Sequence, residues 1–480
     1  MKKNIKLFSV IFITSLLSMT LFLQPHFVHD TYNFYANDFK PMTDYLGQGR
    51  LITYCLTCFL SNFNGISHYI IQFLSVVLAI VYLSISSCIL YRMIEKRIQI
   101  KKDYQKLLIL VISQMTFFTL YILEWFMFFE VSIMCMGVLF SVIAAYQLIE
   151  NNKYLYATIF YILSVFSYQA SIAIGGVLVV LFYLYDNKNN KLVKNIKNLI
   201  IMFIPYIIAL LSNYIYMKMG INGADSRTGS PDLMYNFIFI IKQSFYYIIK
   251  AFNFYPMFYI PIIVILILYL IIKLNKDLNI NILYILMTMF SLWFLSILPI
   301  LVMNSDIIYI IPRSIPYISA IMSLGFIMII LYYNEECFKN KLFISLVVIT
   351  FIVSLFQSIN IQSESLKNST KDIQIVNIIL DEIEKYENEN NIEVNKIKYI
   401  TSENVKLSHK GMIQYGDISL RALVNNWSAA AIFNYVTDRK FEISNATKKE
   451  KENKFLDYEA DDFSLDQLLF ENDTLYLFSY

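Results

Sequence analysis

The chain reads as an all-α polytopic membrane protein of about eleven transmembrane helices that ends in a small extracytoplasmic α/β domain. Three observations lead there. Of its 480 residues 57% are hydrophobic and only 16% charged, with a mean hydropathy of +0.54, more apolar surface than a water-soluble fold can hide. The apolar residues come in long uninterrupted blocks. Charge is divided unevenly: residues 1–357 hold 25 Lys/Arg against 15 Asp/Glu, and residues 358–480 hold 14 against 21. A domain boundary at 357/358 separates a transmembrane part from a soluble part, and neither balance is that of a nucleic-acid binder.

Each span follows from its apolar run. Lys2, Lys3 and Lys6 precede a run to Leu23, and Gln24-Pro25-His26 follows it in place of a small-x-small cleavage site, so the first helix is expected to stay attached. Further spans are expected near 69–91, 107–123, 131–149, 154–167, 170–185, 199–217, 257–273, 280–303, 315–333 and 342–357. The pair 154–167 and 170–185 is short, and a broken hairpin around Ser167-Tyr168-Gln169 is the alternative. Gly175-Gly176 in an apolar run indicates close helix packing. The five cysteines all precede the tail, and Cys55-Leu-Thr-Cys58 reads as two small residues on an apolar helix.

Orientation comes from the cations. The connections expected inside carry 18 Lys/Arg, and those expected outside before the tail carry seven. The positive-inside rule then makes the N-terminus cytoplasmic, and an odd number of spans puts the tail outside. In the tail, Ile373, Ile375, Ile378, Ile379, Ile383 and Tyr386 form a helical stripe within 363–388. Lys396–Thr401 and Asp473–Tyr480 alternate as strands do, and an Ala-rich helix is expected over 427–436.

Ionisable residues beside apolar spans are costly, which makes them functional candidates. On the outer side they are Asp30, Asp38, Asp44, Arg50, Glu124, Glu130, Arg227, Asp306 and Arg313. In Glu124-Trp-Phe-Met-Phe-Phe-Glu130 two carboxylates flank an aromatic patch. An interfacial aromatic belt accounts for the rings but not for the acids. Sugar transfer from a lipid-phosphate donor calls for these residue types: a carboxylate takes the proton of the attacking hydroxyl, and a guanidinium holds the departing phosphate on two hydrogen bonds. Asp30, Glu124 and Glu130 are therefore the candidate catalytic acids, and Arg50 and Arg313 the candidate phosphate ligands. Tyr32, Trp125, Tyr168 and Gln169 are candidates to grip a sugar or acceptor. His26, His29 and Asp30 offer three metal-type ligands in five residues with no distant partner, too few for a metal centre, so no cofactor is expected.

An acidic-aromatic first outer segment ending in Gly49-Arg50, an acidic second loop leading into Val131-Ser132-Ile133, the stretch Phe166-Ser-Tyr-Gln-Ala-Ser171, a late Arg313 and a short tail ending in Asp473-Thr-Leu together resemble the bacterial membrane glucosyltransferases that decorate O-antigen and other surface polymers. The resemblance implies a GT-C-type fold, a polyprenyl-phosphate-linked glucose donor, inversion at the anomeric carbon and a surface glycan acceptor outside the bacterial cell membrane. A flippase and a synthase that charges the carrier are the partners it implies. Family members have paired acids in the first outer loop where His29-Asp30 offers one, which leaves Asp30 and the second-loop glutamates as alternative bases. An outer-leaflet polymerase or ligase is the competing reading; a lipid-linked glycan transporter would show repeat symmetry, which this chain lacks.

Overall fold

The computed structural model describes residues 2–36, 44–62, 67–219, 232–252, 254, 259–274, 282–301, 305, 310–401, 407–413, 415–424, 426–437, 439–455 and 462–479. Within them the chain is mostly helical, with one small sheet near its end. Seven helices are long and apolar enough to cross a membrane: His68–Glu95, Val131–Asn151, Gln169–Asp186, Val193–Lys218, Leu283–Ile300, Pro316–Tyr333 and Lys341–Asn390. Asp103–Phe117 and Leu120–Met127, bent by 51°, make an eighth when taken as one span. The expected eleven is therefore larger than the number that meets the length requirement among the described residues. The difference lies in short helices: Ile5–Ser18 and Tyr154–Ser167 are apolar but fall below a full crossing, and Tyr259–Leu274 has 16 residues. Hydropathy also left Leu233–Phe252 as an outer connection, and it is a helix of 20 residues.

Helix packing in such a bundle depends on close backbone approach, because lipid competes equally for apolar side chains. Helix Val131–Asn151 is central, lying against His68–Glu95, Tyr154–Ser167 and Ile172–Asp186. Gly175 permits the last of these contacts. A Cβ there would collide with Ser141, whose hydroxyl donates to the Ile172 carbonyl and accepts the Gly175 N–H, both at 2.9 Å. The expected packing role of Gly175 is what the structure has.

Ion pairs mark one end of the bundle. The Arg97 guanidinium contacts Glu150 at 2.5 Å and Asp186 at 2.6 Å, and Lys96 reaches Glu150 at 2.8 Å. These contacts join the C-terminal ends of helices His68–Glu95, Val131–Asn151 and Ile172–Asp186. The connections carrying Arg50, Glu124, Glu130, Gln169 and Arg313 lie at the opposite helix ends, so the candidate site residues gather on one side.

Helix Lys341–Asn390 runs unbroken through the 357/358 boundary. Its 50 residues extend about 75 Å, more than twice the hydrocarbon thickness of a bilayer. One element is thus both span and tail. Beyond its apolar start, Ser358, Gln362, Ser365, Asn368, Ser369 and Asp372 form a buried polar stripe at helical spacing. Gln362 donates to the Ser18 carbonyl at 2.8 Å, and the Ser369 hydroxyl accepts the Phe27 N–H at 3.1 Å.

The tail sheet has the order β2-β1-β4-β3, with β1 at Lys396–Thr401, β2 at Glu442–Asn445, β3 at Leu468–Glu471 and β4 at Thr474–Ser479. β1 pairs in parallel with both β2 and β4, and β3 returns antiparallel against β4. The two strands expected from alternation and the helix Asn426–Val436 lie where the sequence puts them. Of the expected stripe, Ile375, Ile379 and Ile383 are buried and Ile373 and Tyr386 partly so. Ile378 instead faces outward, because a 3.6-residue turn carries it off the face that holds Ile375 and Ile379.

The segment that follows the first helix completes the tail's core. Helix His29–Ala36 packs against Asn426–Val436, and Phe27, Tyr32, Phe34 and Tyr35 share a cluster with Ile375, Ile379, Ile432 and Phe433. Its aromatics are structural, sealing the tail onto the bundle.

Candidate active site

The segment after helix Asp103–Phe117 is a short 3₁₀ helix, Leu120–Met127, in which every side chain is buried. Hydrogen bonds from the segment about 100 residues earlier hold its end in place. The carbonyl of Phe126 lies 2.8 Å from His26 Nε2, and Thr31 donates its hydroxyl to the Met127 carbonyl at 3.0 Å. The other ring nitrogen of His26 is 2.7 Å from the Gln24 carbonyl, so both face backbone oxygens. No cluster of three or more His, Cys, Asp or Glu able to hold a metal ion occurs among the described residues.

From this loop Glu124 and Trp125 reach the Pro312–Ser314 turn. One Glu124 oxygen accepts the Arg313 N–H at 2.5 Å, and the other accepts the Asp417 N–H at 2.7 Å. Trp125 Nε1 donates to the Arg313 carbonyl at 2.9 Å. The Arg313 side chain lies over the Phe128 ring, 4.9 Å from its centroid, and Nη1 contacts Asp417 Oδ2 at 2.6 Å. Glu124 thus holds together a turn of the bundle and a turn of the tail.

Trp125 also meets Tyr168 edge to face at 5.1 Å, an arrangement favoured by the ring quadrupoles. Tyr168 sits at the break between helices Tyr154–Ser167 and Ile172–Asp186, with Gln169–Ser171 as a single 3₁₀ turn. Arg50 also lies over that ring, with its guanidinium carbon 4.6 Å from the Tyr168 centroid and 6.0 Å from that of Tyr45. Tyr45 donates its hydroxyl to Glu130 at 3.3 Å. Four connections far apart in sequence therefore form one row: Arg50, Tyr168, Trp125 and Arg313, with Tyr45 linking its first member to Glu130 and Glu124 bonded to the backbone of its last.

The backbone under Arg50 is fixed from the neighbouring helices. Gln169 donates to the Gln48 carbonyl at 2.5 Å, and Asn213 donates to the Gly49 carbonyl at 2.8 Å. Arg50 Nε is itself buried without a hydrogen-bond partner among the described residues. Such an atom costs about 1–3 kcal/mol unless something bonds it; an oxyanion would.

Seven of the nine candidate site residues from the sequence fall in this neighbourhood: Arg50, Glu124, Trp125, Glu130, Tyr168, Gln169 and Arg313. Tyr32 goes elsewhere. It is fully buried in the tail seam, with its hydroxyl 3.3 Å from Ser369 and its ring against Phe27 and Tyr435. Asp30 is in the first turn of His29–Ala36, and its side chain, like that of Asp44, lies outside the described residues, as do Asp38, Arg227 and Asp306. The sequence reading missed Asp417 and Asn213. Tyr415-Gly416-Asp417 had a turn signal, but nothing local links a tail turn to a loop near residue 124.

The tail's own charges are paired outside the membrane part. Arg439 binds both oxygens of Glu387, at 2.9 and 2.6 Å, and this contact holds the Glu387 carboxyl below its ordinary range. Glu450, held first by Lys398 and then by Thr447, is drawn down to about 2.

Residues 19–330 match the sequence profile of the family described as Glucosyl transferase GtrII. No significant match to a curated protein or to a solved structure is found. The matched segment begins just after the first helix, Lys2–Ser18, and covers every residue of the Arg50–Arg313 row; the tail that supplies Asp417 lies beyond it. With residues 19–330 matched, the chain belongs to the GtrII glucosyltransferase family.

Proposed function

We propose that this glucosyltransferase takes glucose from a polyprenyl-phosphate carrier and transfers it, with inversion, to a glycan on the outer face of a bacterial cell membrane. The observation that carries the reading is Arg50: a guanidinium stacked on Tyr168 with a buried, unbonded Nε–H, at the head of a row of sugar-sized aromatic faces. Arg50 and Arg313 hold the carrier phosphate, since planar forked donors match its oxygens. Tyr168 and Trp125 pack on the glucose ring.

The acceptor hydroxyl attacks the anomeric carbon as the bond from that carbon to the phosphate oxygen breaks. Its proton passes to a carboxylate, and the polyprenyl phosphate leaves with the bonding pair. Glu130 and Asp30 are the proposed bases. Glu124, with both oxygens already accepting backbone N–H groups, positions Arg313. The fold is proposed to be of GT-C type, with the N-terminus cytoplasmic and the tail outside; a flippase and a carrier-charging synthase supply the donor, and no metal is required.

The test is glucose transfer by the full-length protein in liposomes carrying polyprenyl-phosphate-glucose, with Asp30→Asn, Glu124→Gln and Glu130→Gln compared singly. Loss of the base is expected to lower kcat by about 100-fold or more, while Glu124→Gln weakens donor use. Mass spectrometry of the surface glycan should show lost glucose branches with normal chain length. Transfer that ignores the carrier, or full activity in both Asp30→Asn and Glu130→Gln, would refute the mechanism.

A further inference from the structure

The partner of Arg313 comes from the tail. Asp417 Oδ2 lies 2.6 Å from Arg313 Nη1, and both side chains keep some exposure, 24% and 17%. Their backbones are held independently of that contact, because buried Glu124 accepts one N–H from each. The turn carrying Asp417 is fitted to this place. Gly416 has φ +56°, and a Cβ on it would stand 2.7 Å from Glu124 Oε1. Tyr415 before it is buried, with its hydroxyl accepting from Gln357 Nε2 at 3.1 Å and its ring 5.5 Å from Phe254. Anchored on both sides, the turn leaves the Asp417 carboxylate as the part able to exchange.

We propose that Asp417 is a donor-site residue: its carboxylate holds the Arg313 guanidinium where the carrier phosphate binds and gives up that position when the donor enters, so that the tail turn 415–419 forms a wall of the site. This rests on the lipid-phosphate reading above. A carboxylate and a phosphate present the same pair of oxygens to a guanidinium. A phosphate arriving while Asp417 stayed in place would also meet two acidic side chains, Glu124 and Asp417, at its Arg313 end. Exchange removes one of them. Asp417 is thereby a positioning residue in the empty state and a competitor during binding, and the tail becomes part of the catalytic unit.

Binding of a polyprenyl phosphate without sugar, and of the corresponding polyprenol, is measured on the full-length protein in nanodiscs for the wild type, Asp417→Asn and Asp417→Ala. The amide keeps the backbone N–H that Glu124 accepts. Both variants are expected to bind the phosphate about two- to fivefold more tightly, the worth of one partly exposed charge pair, with polyprenol binding unchanged; the Asn variant should show a lower donor KM without a higher kcat. A purely structural role would leave KM where it is. Hydrogen exchange over 412–424 in the wild type should rise when polyprenyl phosphate is added. Equal or weaker phosphate binding by both variants, or no change in exchange, overturns the proposal while leaving the lipid donor intact. A wild type that does not distinguish the phosphate from the polyprenol overturns the lipid-phosphate reading and this inference with it.

Discussion

Arg50 shows why residue type matters more than charge in the site. Its contacts are a ring face 4.6 Å away and a buried Nε–H open to an acceptor. An ammonium offers a point charge with neither the planar stacking surface nor the fork. Arg50→Lys is therefore expected to lower kcat/KM for the lipid donor by about 10- to 100-fold, mostly through KM. Unchanged donor kinetics in liposomes would remove Arg50 from the site. The residue scale is also where sequence reading did best at this site: an ionisable group beside an apolar span is conspicuous because its burial needs a reason. Asn213 looks like any other asparagine until the fold brings it to the Gly49 carbonyl.

Among the elements, helix Lys341–Asn390 is the one on which most depends. Ile379 is fully buried in the tail core, and its neighbour Ile378 is 42% exposed. Ile379→Ala is expected to destabilise the tail by about 2–5 kcal/mol, whereas Ile378→Ala should change stability by less than about 0.5 kcal/mol. Thermal unfolding of the detergent-solubilised chain compares them, and equal effects would mean that the helix is rotated from the face described. The contact between β1 and helix Lys448–Phe455 is expected to be acid-sensitive. Glu450 is held at about 2 by Lys398 and Thr447, against an ordinary 4.5. A depressed carboxyl contributes its stability above the ordinary value and loses it as the pH falls towards 2. Hydrogen exchange over 396–401 and 448–455 should rise in that window in the wild type. In Glu450→Gln the rise should be smaller, and an identical profile would refute the contribution.

For the whole molecule, the decisive fact is that connections on one side of the bundle hold the site and those on the other hold the Arg97 ion-pair cluster. Cysteines introduced singly at Ser67 and Lys101, in a cysteine-free background, should sit on opposite faces of the membrane. The first is expected to react with an impermeant maleimide in intact cells, and the second only after permeabilisation. Labelling of both from one side would contradict the alternation. The tail is tied to the site side by the Glu124, Arg313 and Asp417 contacts and by the aromatic seam around Tyr32, which makes the two regions one mechanical unit despite their opposite charge balance.

Local physics determined the apolar helical class, the α/β tail with its β1 strand and Ala-rich helix, and the acids and arginines worth attention. Each of these depends on hydropathy, period or desolvation cost, properties that a short stretch of residues carries alone. Tertiary structure decided the rest. It fused the last span and the tail into one helix, turned Tyr32 from a candidate ligand into core, and brought Asp417 to Arg313. Those outcomes depend on which distant surfaces meet, and a Ser/Asn-rich stretch such as 357–369 gives no sign by itself whether its polar groups will face water or, as here, be buried against the first helix and the segment that follows it.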